Sequence, residues 1–293
     1  MKVTSTPGPR AADGAAADGG SAALLAARGL TVDFARHGRT TRVVDGVSFD
    51  VGAGEFVGII GETGSGKSVS LRAALRMLPR NGTLAAGTSE FGGADLQALP
   101  ARELRRLKGA RIGFIPQQPW SALNPVVRLD RQFRQVGRAH GRSRAWTDRA
   151  ALEMLERVEI ADPRRVLAGH SGQLSGGMAQ RVVIAMSLLL APELVVADEP
   201  TTALDVTVQR EILDLLSRIC HEDGKSVLVV THDLGVVSHY CDRVYVMRAG
   251  RVLEDGPVGE VFAAPRHEYT RSLVEAAGAG DLEDTDGSEG EAS

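Results

Sequence analysis

The sequence predicts an α/β fold around a mainly parallel sheet, with an antiparallel β subdomain and an inserted helical subdomain. Three observations carry this. Short apolar runs, Phe56–Ile60, Arg111–Ile115, Leu194–Ala197 and Val227–Val230, alternate with longer helical patterns, as the buried strands of a parallel sheet do. Leu30–Phe34 with Val47–Val51, and Arg243–Met247 with Val252–Glu254, alternate apolar and polar positions and so read as antiparallel strands, the second pair closed by a turn at Ala249–Gly250. From Asp130 to Ala168 no strand pattern appears, whereas Ala150, Leu152, Leu155 and Val158–Glu159 give helical spacing rich in Arg and Glu.

The chain has 293 residues, 43% of them apolar, enough for one large globular domain. Residues 1–22, mostly Ala, Gly, Asp, Ser and Pro, read as a disordered leader rather than a signal peptide. Residues 276–293 read as an acidic disordered tail. Six acids fall in the last thirteen positions, and removing them from a net charge of −3 leaves about +3, which gives no global charge argument for nucleic acid. Two isolated cysteines, Cys220 and Cys241, suit a reducing compartment. The longest apolar run, Val182–Ala197, is interrupted by Pro192 and Glu193 and falls short of a bilayer's ~30 Å. No internal repeat is visible.

Gly61-Glu62-Thr63-Gly64-Ser65-Gly66-Lys67-Ser68 follows the strand Phe56–Ile60 and opens a helix expected to run through Leu71 to Met77. This is the strand, loop and helix that a phosphate-binding loop needs. Its glycines let backbone N–H groups crowd around the β- and γ-phosphates of ATP, and the helix N-terminus adds partial positive charge. Lys67 would neutralise phosphate oxygens and the Ser68 hydroxyl would ligate Mg²⁺.

Leu194-Val195-Val196-Ala197-Asp198-Glu199 is an apolar strand that delivers two acids at its C-terminal end, where open α/β sheets place ligands. Asp198 would hold Mg²⁺, directly or through water. Glu199, beside the metal, is placed to act as the general base on the attacking water.

Those two elements fit many nucleotide hydrolases; Leu174-Ser175-Gly176-Gly177-Met178 followed by Gln180-Arg181 narrows the choice. With these residues the sequence resembles the ABC ATPase family. The resemblance implies that Ser175, Gly176 and Gly177, at a helix N-terminus, contact the γ-phosphate of ATP held by an opposite subunit, an anion site of ordinary physical kind. It covers residues 28–275, within an ATPase domain at 23–275 whose helical subdomain spans approximately 118–178. It further implies that Gln117 senses Mg²⁺ and the γ-phosphate, with the adjacent Gln118 as the alternative. Ala203-Leu204-Asp205 would touch the other subunit's phosphate loop, and His232 would contact the γ-phosphate. The aromatic residue on which such proteins stack adenine is missing: Gly38–Thr41 holds none, and Phe34 and His37 are near but out of line.

Pro119-Trp120-Ser121-Ala122-Leu123-Asn124-Pro125, Met178 at the end of the signature, ADEPTTALDVTV over Ala197–Val208 and His267-Glu268-Tyr269-Thr270 look like the ATPases of dipeptide, oligopeptide and nickel importers. That resemblance implies a second ATPase subunit, a heterodimer being expected from Met178, with two membrane permeases and, indirectly, an extracytoplasmic solute-binding protein. The chain would sit peripherally on the cytoplasmic face of the cell membrane. Two features depart from the pattern: Ala179 stands where relatives often have Arg, and no cysteine-bearing C-terminal extension follows. The rival readings are a non-transport ABC ATPase acting on DNA or ribosomes, which would carry long coiled coils or two copies of the domain, and an exporter ATPase.

Overall fold

The computed structural model describes residues 23–36, 38–202 and 204–283. The leader at 1–22, His37, Ala203 and the tail beyond residue 283 lie outside the described residues.

Among the described residues, ten strands and ten α-helices follow in order: β1 (Leu25–Arg36), β2 (Arg39–Val51), β3 (Phe56–Ile60), α1 (Lys67–Ala74), β4 (Gly82–Phe91), β5 (Ala94–Asp95), α2 (Ala101–Ala110), β6 (Ile112–Ile115), α3 (Leu129–Ala139), α4 (Arg144–Arg157), α5 (Pro163–Ala168), α6 (Gly176–Leu188), β7 (Leu194–Asp198), α7 (Val206–His221), β8 (Ser226–Thr231), α8 (Leu234–Tyr240), β9 (Arg243–Arg248), β10 (Arg251–Pro257), α9 (Val258–Ala263) and α10 (Glu268–Glu283). The main sheet has the order β10-β9-β3-β8-β7-β6. Its five inner and far strands run parallel, and β10 closes one edge antiparallel to β9. A second sheet, β2-β1-β4-β5, is wholly antiparallel.

The main sheet is buried on both faces, and strand alternation divides its side chains between two cores. Phe56, Ile60, Val195, Ala197, Val227 and Val229 face a core shared with α3 to α9. Val57, Ile59, Leu194, Val196, Leu228 and Val230 face one shared with α1 and the second sheet. The four apolar runs are therefore near-continuous because both faces need apolar residues.

α3, α4 and α5 fill the stretch in which no strand was expected. Ser143 and Asp162 cap α4 and α5 with side-chain oxygens that accept from the N–H groups of Trp146 and Arg165. Three details differ from the sequence expectation. Helix α1 stops at Ala74 rather than Met77, because Arg76 takes a left-handed conformation (φ 51°). Met77 N–H then bonds Arg72 O at 2.6 Å and Arg76 N–H bonds Ala73 O at 3.0 Å, the two bonds of a helix-terminating Schellman motif. Strand β4 was not foreseen; most of its residues are exposed, so it lacks the apolar signal, and pairing with β1 determines it. Helix α10 continues to Glu283, past the expected boundary at 275, through a stretch containing the good helix formers Glu275, Ala276 and Ala277.

Candidate nucleotide-binding and hydrolysis site

The loop Gly61–Ser68 connects β3 to α1 at the C-terminal edge of the main sheet. Gly61, Gly64 and Gly66 have φ of 155°, 86° and 99°, the region that side chains avoid. At Gly61 a Cβ would also collide with the Met247 carbonyl oxygen. Glu62, Thr63 and Gly64 form an exposed crest, while Ser65, Gly66 and Lys67 are buried beneath it. The Lys67 ammonium donates to the carbonyls of Gly61 (2.6 Å) and Glu62 (3.0 Å). Burial pushes its pKa down, against the attraction of Glu199, Asp198 and Glu62. An incoming phosphate would offer this cation the negative partner that the carbonyls only partly replace. Ser65 Oγ is buried without a hydrogen-bond partner among the described residues, a polar atom aimed into the loop.

Asp198 ends β7 with its side chain wholly buried. Ser68 Oγ donates to its Oδ1 at 2.5 Å and Arg72 donates to its Oδ2 at 3.0 Å. The next residue, Glu199, has φ 47° and donates its N–H to Val230 O at 2.8 Å. Three groups converge on its Oε2: Gln117 Nε2 at 2.9 Å, Thr202 Oγ1 at 3.0 Å and His232 Nδ1 at 3.6 Å. The last distance is too long for a hydrogen bond. Gln117, not Gln118, therefore reaches the acid.

Ser175 and Asp205 each cap a helix. Ser175 is the N-cap of α6, its Oγ accepting from Met178 N–H at 3.3 Å, and Asp205 is the N-cap of α7, accepting from Val208 N–H at 3.0 Å. Both are exposed, as is Gly176. A Cβ at Gly177 would come within 2.9 Å of Val208 Cγ1, so that glycine also lets α6 pack on the start of α7. The cavity beside Ser175 is lined by Gly177, Met178, Arg181 and Val208 and has no phosphate-loop residue in its wall. Among the described residues, the side chains of Ser175 and Asp205 hydrogen-bond only within their own helix caps and not to the phosphate loop.

Sequence reasoning passed over three side chains here. Arg72 and Thr202 hold the two acids, and Tyr269 Oη accepts the Glu62 N–H at 3.1 Å while Arg248 stacks on its ring. Thr202 and Tyr269 enter the sequence reading only within segments that carry a resemblance; the Tyr269 contact spans 207 positions, which no local pattern reveals. Phe34, one of the two rings near Gly38–Thr41, packs against Gly82.

The sequence profile of the family described as "ABC transporter" matches residues 44–202. The chain belongs to the ABC transporter family. A second profile, of an AAA domain described as a putative AbiEii toxin of a type IV toxin–antitoxin system, matches residues 170–238. As an ABC transporter ATPase, the chain is similar to a probable peptide ABC transporter ATP-binding protein of Sinorhizobium fredii, with 46% identity over 86% of this chain and 76% of that one. It is also similar to the dipeptide transport ATP-binding protein DppD of Escherichia coli, with 41% identity over 87% and 78%. Among solved structures it resembles the ATP-binding cassette MJ0796 in a dimeric post-hydrolysis state bound to ADP and Pi, at TM-score 0.71 and 29% identity, covering 80% of this chain and 99% of that one. The expected α/β ATPase fold and the expected family are thereby borne out, and this ABC transporter chain is an ATP-binding, ATP-hydrolysing subunit.

Proposed function

We propose that this subunit energises an importer of peptides or of a related solute such as nickel, and that its ATP site is completed by a second ATPase. The cavity beside Ser175, with no phosphate-loop residue in its wall, carries the second half of this reading. A helix N-terminus with an exposed hydroxyl attracts phosphate, yet no residue of the chain's own phosphate loop lines the cavity beside this one. A second subunit packed head to tail would bring its signature to Gly61–Ser68 and receive Ser175, Gly176 and Gly177 in return. Asp205 sits at the start of α7, next to Val208 and hence to the signature helix, where it would meet the other phosphate loop. Met178 supports a different, Gln-bearing ATPase as that partner. The names of the relatives support peptides as the solute.

The residues at hand fit Mg²⁺. Ser68, Asp198 and Gln117 offer hydroxyl, carboxylate and amide oxygens, the hard donors this ion prefers. No cluster of three or more His, Cys, Asp or Glu occurs among the described residues, which suits an ion that relies on water and substrate phosphates for its remaining ligands. Bound there, Mg²⁺ would neutralise charge on the β- and γ-phosphates. Lys67 would leave its two carbonyls for phosphate oxygens. Glu199, held through Oε2 by Gln117 and Thr202, would use Oε1 to take the proton of the attacking water, and His232 at the end of β8 would face the γ-phosphate.

No described helix is long and apolar enough to cross a membrane, so attachment would be peripheral, on the cytoplasmic face, through permease subunits. Trp120 and Val126, 47% and 82% exposed, lie in the segment between β6 and α3 that would pass motion from the nucleotide site to those permeases. With the solute-binding protein acting from the other side, this chain would touch neither solute nor nucleic acid. Glu199→Gln tests the chemistry: turnover should fall by about 100-fold or more with ATP binding retained, and wild-type turnover would remove Glu199 from the role of base.

A further inference from the structure

Arg72 lies four residues beyond Ser68 on α1, so both side chains leave the same face of the helix. Together they take both oxygens of Asp198, Ser68 at Oδ1 and Arg72 at Oδ2. Asp198 is wholly buried, whereas the Arg72 side chain is 41% exposed. A buried carboxylate needs a counter-charge, and Lys67 does not supply one by contact, since its ammonium donates to the carbonyls of Gly61 and Glu62. The cation that touches Asp198 is therefore Arg72. It sits on a long stem that reaches solvent and can swing aside, while Ser68 and Asp198 are fixed by helix and strand.

We propose that Arg72 is a stand-in for the metal: it neutralises Asp198 while the site is empty, yields Oδ2 when Mg²⁺ arrives, and so sets how strongly ATP binding depends on Mg²⁺. This rests on the reading of Asp198 as a metal ligand. The charge of Arg72 acts in two ways, both in one direction. Beside a divalent ion it opposes metal binding, and without the ion it attracts ATP phosphates. Each lowers the ratio of ATP affinity with Mg²⁺ to that without.

The test measures binding of a β,γ-imido analogue of ATP to the full chain by titration calorimetry, once in saturating Mg²⁺ and once in EDTA. Arg72→Met should raise the ratio of the two affinities about tenfold, and Arg72→Lys should keep it near the wild-type value. Arg72→Gln, with the same expectation as Arg72→Met, replaces it if that variant does not fold. A merely structural role would lower both affinities together, and an unchanged or smaller ratio in Arg72→Met overturns the proposal. Asp198→Asn separates the two claims. If it leaves the ratio at the wild-type value, Asp198 is not a metal ligand and both claims fall. If it collapses the ratio while Arg72→Met leaves it unchanged, only the role of Arg72 falls.

Discussion

Gln117 donates its amide N–H to Glu199, Nε2 to Oε2 at 2.9 Å, across 82 positions of sequence. The bond joins the segment after β6, which leads into the helical subdomain, to the acid after β7. If Glu199 is the base proposed above, a movement of that segment would release or reset its carboxylate and so connect the helical subdomain to the chemistry. Thr202 holds the same oxygen from the other side.

Gln117→Ala should lower kcat about tenfold while leaving ATP affinity within about twofold, because it loosens the acid without touching the phosphate loop. Steady-state kinetics beside equilibrium ATP binding check this. Equal kcat in variant and wild type would show that the bond does not position Glu199.

Gly61→Ala should unfold more easily by about 2 kcal/mol or more, since it adds a side chain at φ 155° against the Met247 carbonyl. Urea denaturation reads the change. Gly93→Ala serves as the comparison: φ there is 79° but nothing lies within 4 Å of the added carbon, so only backbone strain remains and the loss should be smaller.

Much of this site was legible in the sequence because the residues that define it lie in short local patterns. Gly61–Ser68 and Asp198–Glu199 each follow a buried strand, and strand-end placement put them on one edge of the sheet. Met178 and its neighbours were legible as a motif, yet the cavity they line, which has no phosphate-loop residue in its wall, emerged only from the fold. Arg72 carried no local signal, because an arginine on an amphipathic helix is ordinarily solvated and its partner is 126 residues away. Tyr269 was invisible as a support of the phosphate loop for the same reason. Strand β4 escaped because exposed residues leave no apolar period to read.

Lys108 carries a pH dependence of its own. Burial and the positive charge of Arg76 push its pKa from 10.5 to about 8, and its ammonium donates to Arg76 O at 3.2 Å. Between pH 8 and 10.5 the unfolded chain keeps a proton that the folded chain gives up, so stability from this group rises with pH across that window. Lys108→Met removes the cost of burying the charge. The variant should be more stable at pH 7 by about 1 kcal/mol, allowing for partial exposure, and the advantage should shrink toward zero by pH 10.5. Urea midpoints at pH 7 and pH 10 check both the sign and the trend.

The claim that the site is shared between subunits is tested most directly by Ser175→Arg placed in the Glu199→Gln chain together with the second ATPase proposed as its partner. ATP-dependent association is followed by sedimentation velocity, and ATP binding to the chain is followed separately. The large side chain at the α6 N-terminus should abolish association while the affinity of the chain's own phosphate loop for ATP stays within about twofold of its parent. Association that persists unchanged, or ATP binding lost along with it, would contradict the composite site.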